Sequence, residues 1–250
     1  MTTIEKALDV LEIFLDRDDE IGLSEIASLS GLNIATAHRI VLTLVNRGYL
    51  SQKRKRQKYS LSTKFLQYSN VLSRRMKIRD IAFPIVDALN KMVGESVNIA
   101  IMDRNEVVYI EHIETKKSLR IFTQVGNRVP LYCTGVGKIF LAHMSDDELQ
   151  NSLSSTDLVP HTVNTVTDIE RLKQELEQVK TEGVATDNEE MEIGVKCIAS
   201  PVKNSEGSVI AAISVSGPTA RLGNKRVNEI KTLVKSCAAE VSRALGYNAE

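Results

Sequence analysis

The chain of 250 residues has no tryptophan, only three cysteines, and no run approaching 18 apolar residues. Cys133, Cys197 and Cys237 are odd in number and widely spaced, which excludes a disulfide framework and fits a reducing compartment. The lack of a long apolar run leaves no expected membrane span. The opening "MTTIEKALDVLEIF" carries acids and helical periodicity in place of a cationic, then apolar, leader, so a cytoplasmic location is expected. Internal repeats and low-complexity tracts are missing too. The most informative absence is local. From Ile26 to Arg79 there are twelve Lys or Arg and no Asp or Glu, whereas from Asp80 onward 18 cations meet 24 anions. A net charge of zero therefore hides a basic module suited to a polyanion, joined to a more acidic module with another task.

The basic part reads as helices followed by a hairpin. Thr3 is placed to cap a helix in which Ile4, Ala7, Leu8, Leu11 and Phe14 form one apolar stripe. "LSEIASLSGLN" has Ser24 as a candidate N-cap, Glu25 in the first turn, and Gly31 where a helix end needs positive φ. Asn33 is placed to cap a third helix, "IATAHRIVLTLVNRG", with Ala37, Ile40, Val41 and Leu44 on its inner face. Thr36, Arg39 and Thr43, with His38 beside them, fall on the opposite face. Short helix, glycine turn and second helix make the helix-turn-helix pattern. A major groove admits such a helix, and Arg there donates two hydrogen bonds to guanine.

Behind this helix, "GYLSQ" and "KYSLS" alternate like strands around "KRKRQ". Five cations, Lys53, Arg54, Lys55, Arg56 and Lys58, occupy six residues. On an isolated run they would read as a solvated loop. Placed behind a recognition helix in an acid-free segment they read as a wing lying along phosphates, with affinity from counterion release. The expected module is a winged helix-turn-helix over residues 1–62 that binds double-stranded DNA. A linker follows over 63–79, then "IAFPIVDALNKMVG" as a helix in which Pro84 marks a start or kink.

Residues 80–250 form the second expected domain, and from Ser96 the period changes. "SVNIAIMD", "EVVYIEHIE", "SLRIFTQVG", "IASPVK" and "SVIAAISVSGP" read as strands, and "TGVGKIFLAHMS" as a glycine turn entering a helix. Further helices are "DDELQNSLSS", "TDIERLKQELEQVKTEG" with Thr167 as cap and Gly183 as terminator, and the closing "NKRVNEIKTLVKSCAAEVSRALGY". Strands with helices between and around them indicate an α+β sensor domain. "TGVGK" lacks the spacer and hydroxyl residue of a phosphate loop. Cys133 has no Cys/His/Asp spacing that would make it a nucleophile. His112, His143, Cys133 and Cys197 are too scattered for a zinc site. No cofactor, metal or catalytic residue is expected.

With these residues in hand, the whole chain resembles the IclR family of bacterial transcription regulators. "LSEIASLSGLNIATAHRIVLTL" resembles its helix-turn-helix. "GVATDNEEMEIGVKCIASPVKN" is similar to its signature, with Gly183, Asp187, Glu190 and then Cys197 followed by small and aliphatic residues. Lys203 departs from it, standing where an aromatic or His is usual. The resemblance implies a GAF-like C-terminal domain, an antiparallel sheet with flanking helices, that binds a small carboxylate of the 2-oxo-acid or sugar-acid type. It also implies a homodimer or tetramer. By the same resemblance the carboxylate would meet the backbone amides of Gly135 and Val136. Asp187, Cys197, Ser214 and Ser216 would supply polar contacts, and Ile121, Val129 and Val195 an apolar wall. Val136 is bulkier than the small residue common there. From the residues alone, Ser214 and Ser216 also fit plain strand alternation, and Asp187 a turn.

The expectation is a repressor whose operator affinity follows the effector. The alternatives are an activator of the same family, an enzyme acting on acidic substrates, or a module whose basic wing meets an acidic protein.

Overall fold

The computed structural model describes residues 2–15, 17, 19–53, 58–75 and 77–248, which divide into two compact units, Met1–Met76 and Lys77–Glu250. In the first unit helix α1 (Thr3–Glu12) is capped by Thr2, whose hydroxyl accepts from the Glu5 amide while Glu5 reaches back to the Thr2 N–H. The cap is thus one residue earlier than the sequence indicates. The apolar stripe divides as well. Val10 and Phe14 are buried with Ala7 and Leu11 against them, whereas Ile4 and Leu8 stay exposed.

Strand β1 (Ile21–Gly22) leads directly into α2 (Leu23–Leu29), and Gly22 occupies the cap position with no side-chain bond. Ser24 lies inside the helix, because pairing of Ile21 with Tyr59 holds Gly22 extended and the helix starts immediately after it. Gly31 turns the chain at φ +63°, and α3 (Ile34–Asn46) follows, its axis bent 110° from that of α2. Ala37, Ile40, Val41 and Leu44 of α3 are buried as the spacing requires. Each large aliphatic side chain so buried stabilises the unit by about 1.5–3 kcal/mol. Strands β2 (Leu50–Lys53) and β3 (Lys58–Leu61) form the expected hairpin, and β1 adds to it in the order β1-β3-β2. Arg54, Lys55, Arg56 and Gln57 at its tip lie outside the described residues.

The segment read as a linker, 63–79, is shared between the units. Helix α4 (Lys64–Arg75) packs Phe65 and Tyr68 on Tyr49 of the first unit, while α5 (Lys77–Val93) belongs to the second. Helix α5 begins before Ile81, and Pro84 sits inside it.

The second unit is a six-stranded antiparallel sheet in the order β6-β5-β4-β9-β8-β7. Its strands are β4 (Ser96–Asp103), β5 (Glu106–Ile113), β6 (Arg128–Pro130), β7 (Ala185–Asn188), β8 (Val195–Lys203) and β9 (Val209–Pro218). Helices α5 and α9 (Asn224–Ala244) pack on one face, and α6 (Gly135–Ala142), backed by α8 (Ile169–Glu182), on the other. Helix α7 (Asp146–Ser154) connects α6 to the loop before α8. The sheet under α6 is paved with Ala100, Ala185, Ala199 and Ala212, small side chains that let this helix lie close. Gly137 is required on the helix, since a Cβ there would overlap the Leu131 carbonyl.

Residues 118–126 are not a strand. The backbone of Tyr109 holds Gly126 and Asn127, β6 then pairs with β5 only from Arg128, and Leu119, Phe122 and Val125 of the intervening loop are exposed. Alternation without a partner strand or a face to bury does not make a strand. Helix α8 is capped by Asp168, not Thr167, and ends at Gly183 with φ +65°.

Candidate effector pocket and nucleic-acid interface

On α3, His38, Arg39 and Thr43 are exposed and Thr36 is half-buried, opposite the buried stripe. Asn33 accepts from the Thr36 amide at 2.8 Å, which satisfies one of the helix's free N–H groups and orients its first turn. Thr43 donates to the Arg39 carbonyl at 2.8 Å, leaving its methyl and lone pairs outward. Arg39, Thr36 and Thr43 also line a groove of about 290 Å³ between α1 and α3, together with Thr3 and Lys6. Lys6 escaped the sequence reading because α1 carries acids around it; only the packing of α1 on α3 puts it in one groove with Arg39. In the wing, Lys58 is exposed and pairs in register with Lys53, of which only the backbone is described.

In the second unit a cavity of about 190 Å³ opens between β5, the 121–127 loop, the start of α6 and the β7–β8 segment. Six of the nine residues expected at an effector site line it: Ile121, Val129, Asp187, Val195, Cys197 and Ser216. Gly135, Val136 and Ser214 do not. Val136 is fully buried in the core beneath the sheet. Gly135 packs so tightly that an added Cβ would stand 3.2 Å from the Cys197 carbonyl, and its N–H is turned to the Cys197 sulfur. Ser214 is sealed in a buried chain in which His112 Nδ1 donates to Asn98 Oδ1 at 2.6 Å and Asn98 Nδ2 donates to Ser214 and Ser216 at 3.3 Å. Tyr109, Thr134, Met191 and Glu192 line the cavity too and were missed. They come from a strand, a cap and a turn whose convergence no local pattern records.

Burial dominates the electrostatics of this site. It pushes the Asp187 carboxyl up to about 7, even though the Glu190 amide donates to Oδ1 at 2.7 Å. Burial and then the Asp187 charge push the Cys197 thiol up to about 11. Cys133 is raised to about 12, again by burial first, so it is a protonated, inert thiol. One turn into α6, Lys138 is only 2% exposed and bridges Glu190 at 2.6 Å and Glu175 at 2.8 Å. Burial pulls its ammonium down, but these two carboxylates more than offset that and leave it raised. Glu190 Oε2 is buried and has no hydrogen-bond partner among the described residues. A larger cleft of about 500 Å³ lies between α8 and the edge strand β7, but it is open and lined mainly by polar side chains. The smaller cavity is the better seat for a compact ligand, because it mixes apolar walls with a few convergent polar groups.

Both units have counterparts among known proteins. Residues 3–54 match the IclR helix-turn-helix domain, and residues 70–243 match the bacterial transcriptional regulator IclR C-terminal domain. The chain is 33% identical to the transcriptional regulator XynR of Escherichia coli K12, covering 99% of this chain and 98% of that one. It is 31% identical to KdgR of the same organism, over 99% and 94%. The crystal structure of Thermotoga maritima IclR superimposes with a TM-score of 0.82 at 33% identity, covering 98% and 99%. An IclR homologue from Microbacterium hydrocarbonoxydans complexed with 4-hydroxybenzoate gives 0.85 at 25%, over the same shares. These proteins are regulators and not enzymes, which agrees with the inert Cys133. A helix-turn-helix with an exposed outer face on its second helix, an antiparallel sheet bordering a ligand-sized cavity, and this agreement along the full length place the chain in the IclR family of DNA-binding transcription regulators with a C-terminal effector-binding domain.

Proposed function

We propose that this regulator is a cytoplasmic repressor that seats α3 in the major groove of a double-stranded operator and is controlled by a small carboxylate held in the Asp187 cavity. In this reading Arg39 reads bases with His38, Thr36 and Thr43. Asn33 sets the helix start, and Lys53 to Lys58 run along the phosphates. The acting form is a homodimer, or a pair of dimers. Ile4 and Leu8, one turn apart on α1, together with Leu15, are exposed apolar side chains available for a second copy. The observation that carries the effector reading is the cavity itself. Its volume is that of about six waters at ~30 Å³ each, its walls are Ile121, Val129 and Val195, and its polar end is formed by Asp187, Cys197 and Ser216. The 4-hydroxybenzoate carried by a structural relative supports a small carboxylate as the chemical class.

Control follows from linkage: an effector that binds one arrangement of the dimer better than the other shifts operator affinity by that difference. The test has two arms. Thermal-shift screening against 2-oxo acids, sugar acids and 4-hydroxybenzoate is expected to find an acid that raises the melting temperature. A gel-shift series on the region upstream of its own gene is expected to lose the complex when that acid is added. A complex strengthened by the acid, with raised reporter expression, would reverse the sign to activation. A melting temperature indifferent to all acids would remove the carboxylate assignment.

A further inference from the structure

The cavity is poorly furnished for an anion. Among the described residues its lining contains no Lys, Arg or His, yet it carries two carboxyl groups, Asp187 and Glu192. The closest buried cation, Lys138, is already spent on Glu175 and Glu190. Two of its hydroxyls are committed: Thr134 donates to the Pro130 carbonyl at 2.8 Å, and Ser216 is turned to the Cys197 sulfur. The other polar groups of the lining, Tyr109, Thr123 and Asn127, are neutral and bring no positive charge. Asp187 is 3% exposed, so water screens little of its charge. The titratable and charged groups facing it are Tyr109 from β5, Cys197 from β8, Cys133 from the segment before α6, Lys138 from α6, and Glu190 from the β7–β8 turn. Of these only Lys138 is positive, and two carboxylates balance it. A ligand carboxylate entering here meets Asp187 in a dry site, where two neighbouring carboxylates do not both stay ionised.

We infer that this site binds its carboxylate together with one proton, held by Asp187 and shared with the ligand oxygen. The inference rests on the carboxylate reading above. In charge terms the complex carries one negative charge in place of two in a cavity without a cation. Asp187 then acts as a hydrogen-bond donor that selects acids and rejects amines.

Burial has already prepared the group, since the Asp187 carboxyl lies up at about 7 before any ligand arrives. At lower pH the proton is in place and binding takes up almost none. Above that value each complex draws one from the buffer, and apparent affinity falls with the protonated fraction, approaching ~10-fold per pH unit.

The test uses the full-length protein with pyruvate, glyoxylate, D-gluconate and benzoate as probes. Titration calorimetry of any acid that binds is run at pH 6 and pH 8 in buffers of different ionisation enthalpy. Proton uptake near zero at pH 6 and approaching one at pH 8 is expected. Asp187→Asn keeps the shape and a donor, so it is expected to bind the same acid with an affinity flat across this range. Binding by the wild type at pH 8 without proton uptake overturns the inference and leaves the carboxylate reading standing. The same holds if Asp187→Asn keeps the full pH dependence. If none of the four acids binds at either pH, or only amines such as putrescine do, the carboxylate reading falls and takes the inference with it.

Discussion

The two units of this protein keep the side chains of their proposed sites in opposite conditions. On α3 the outer face is exposed, and Arg39, His38 and Thr43 stand at the surface of a helix held by a separate buried stripe. In the second unit the groups of the proposed effector site, Asp187, Cys197 and Ser216, are buried, as is the ion-paired Lys138. A surface site can be altered without touching stability. A buried one cannot, because each group's partner is left unsatisfied when the group is removed. Truncations that dissociate binding from folding are therefore expected in the first unit and not in the second.

The strongest challenge to that contrast is Lys138→Met. It strands the buried Glu190 without a cation, while Glu175 keeps Arg171 at 3.7 Å, with an expected cost of about 3–5 kcal/mol in denaturant unfolding. A loss under ~1 kcal/mol would mean that the pair carries no energetic weight. Next, Gly137→Ala forces a methyl into the Leu131 carbonyl and is expected to cost at least ~2 kcal/mol, by overpacking. Gly31→Ala, at φ +63° but in open space, is expected to cost only ~1 kcal/mol. The difference measures how much tighter the second unit is at its glycines.

Asp187→Asn tests the same contrast through pH. The native carboxyl holds its proton up to about 7, well above an unfolded aspartate, so wild-type stability is whole below the unfolded value and declines as pH rises toward 7. The amide is insensitive to this. It is expected to be more stable than wild type at pH 8, by at most ~4 kcal/mol, with the gap closing as pH falls. A variant less stable at pH 8 would place the charge in a better-solvated site. In the first unit, Arg39→Ala is expected to cost ~1–3 kcal/mol of operator binding with an unchanged melting temperature, sparing non-specific DNA. Smallest of all, Lys58→Gln is expected to weaken every DNA sequence alike and reduce the slope of log affinity against log salt by ~0.9.

Legibility followed range along the chain. The inner face of α3 and its outward Arg39 were readable because helical periodicity is local, and so was the hairpin around Lys53–Lys58 up to its register. Caps slipped where neighbours in space decided them. Gly22, not Ser24, caps α2 because β1 pairs with β3, a contact between residues 38 apart in sequence (Ile21 with Tyr59). The 118–126 segment has strand alternation but no strand, since its edge of the sheet is occupied only from Arg128. The short edge strand β7 went unread because "ATDN" has no β character and pairs through Asp187 and Cys197 for reasons of the whole sheet. Around the cavity, Ile121, Val129, Asp187, Val195, Cys197 and Ser216 lie in the lining. Gly135, Val136 and Ser214 do not, because resemblance names positions, whereas packing decides which of them face the void.

The amino-acid order by itself determined the division of labour: an acid-free, cation-rich third with one amphipathic reading helix, and a remainder built for an antiparallel sheet. Both are properties of composition and of periods of two and 3.6 residues, which need no partner to exist. Tertiary structure alone decided which groups face the 190 Å³ cavity, that Lys6 and Arg39 line one groove, and that Asp187 holds its proton near neutrality. Those depend on dielectric and on distance between remote segments, and neither is set until the sheet has closed around them.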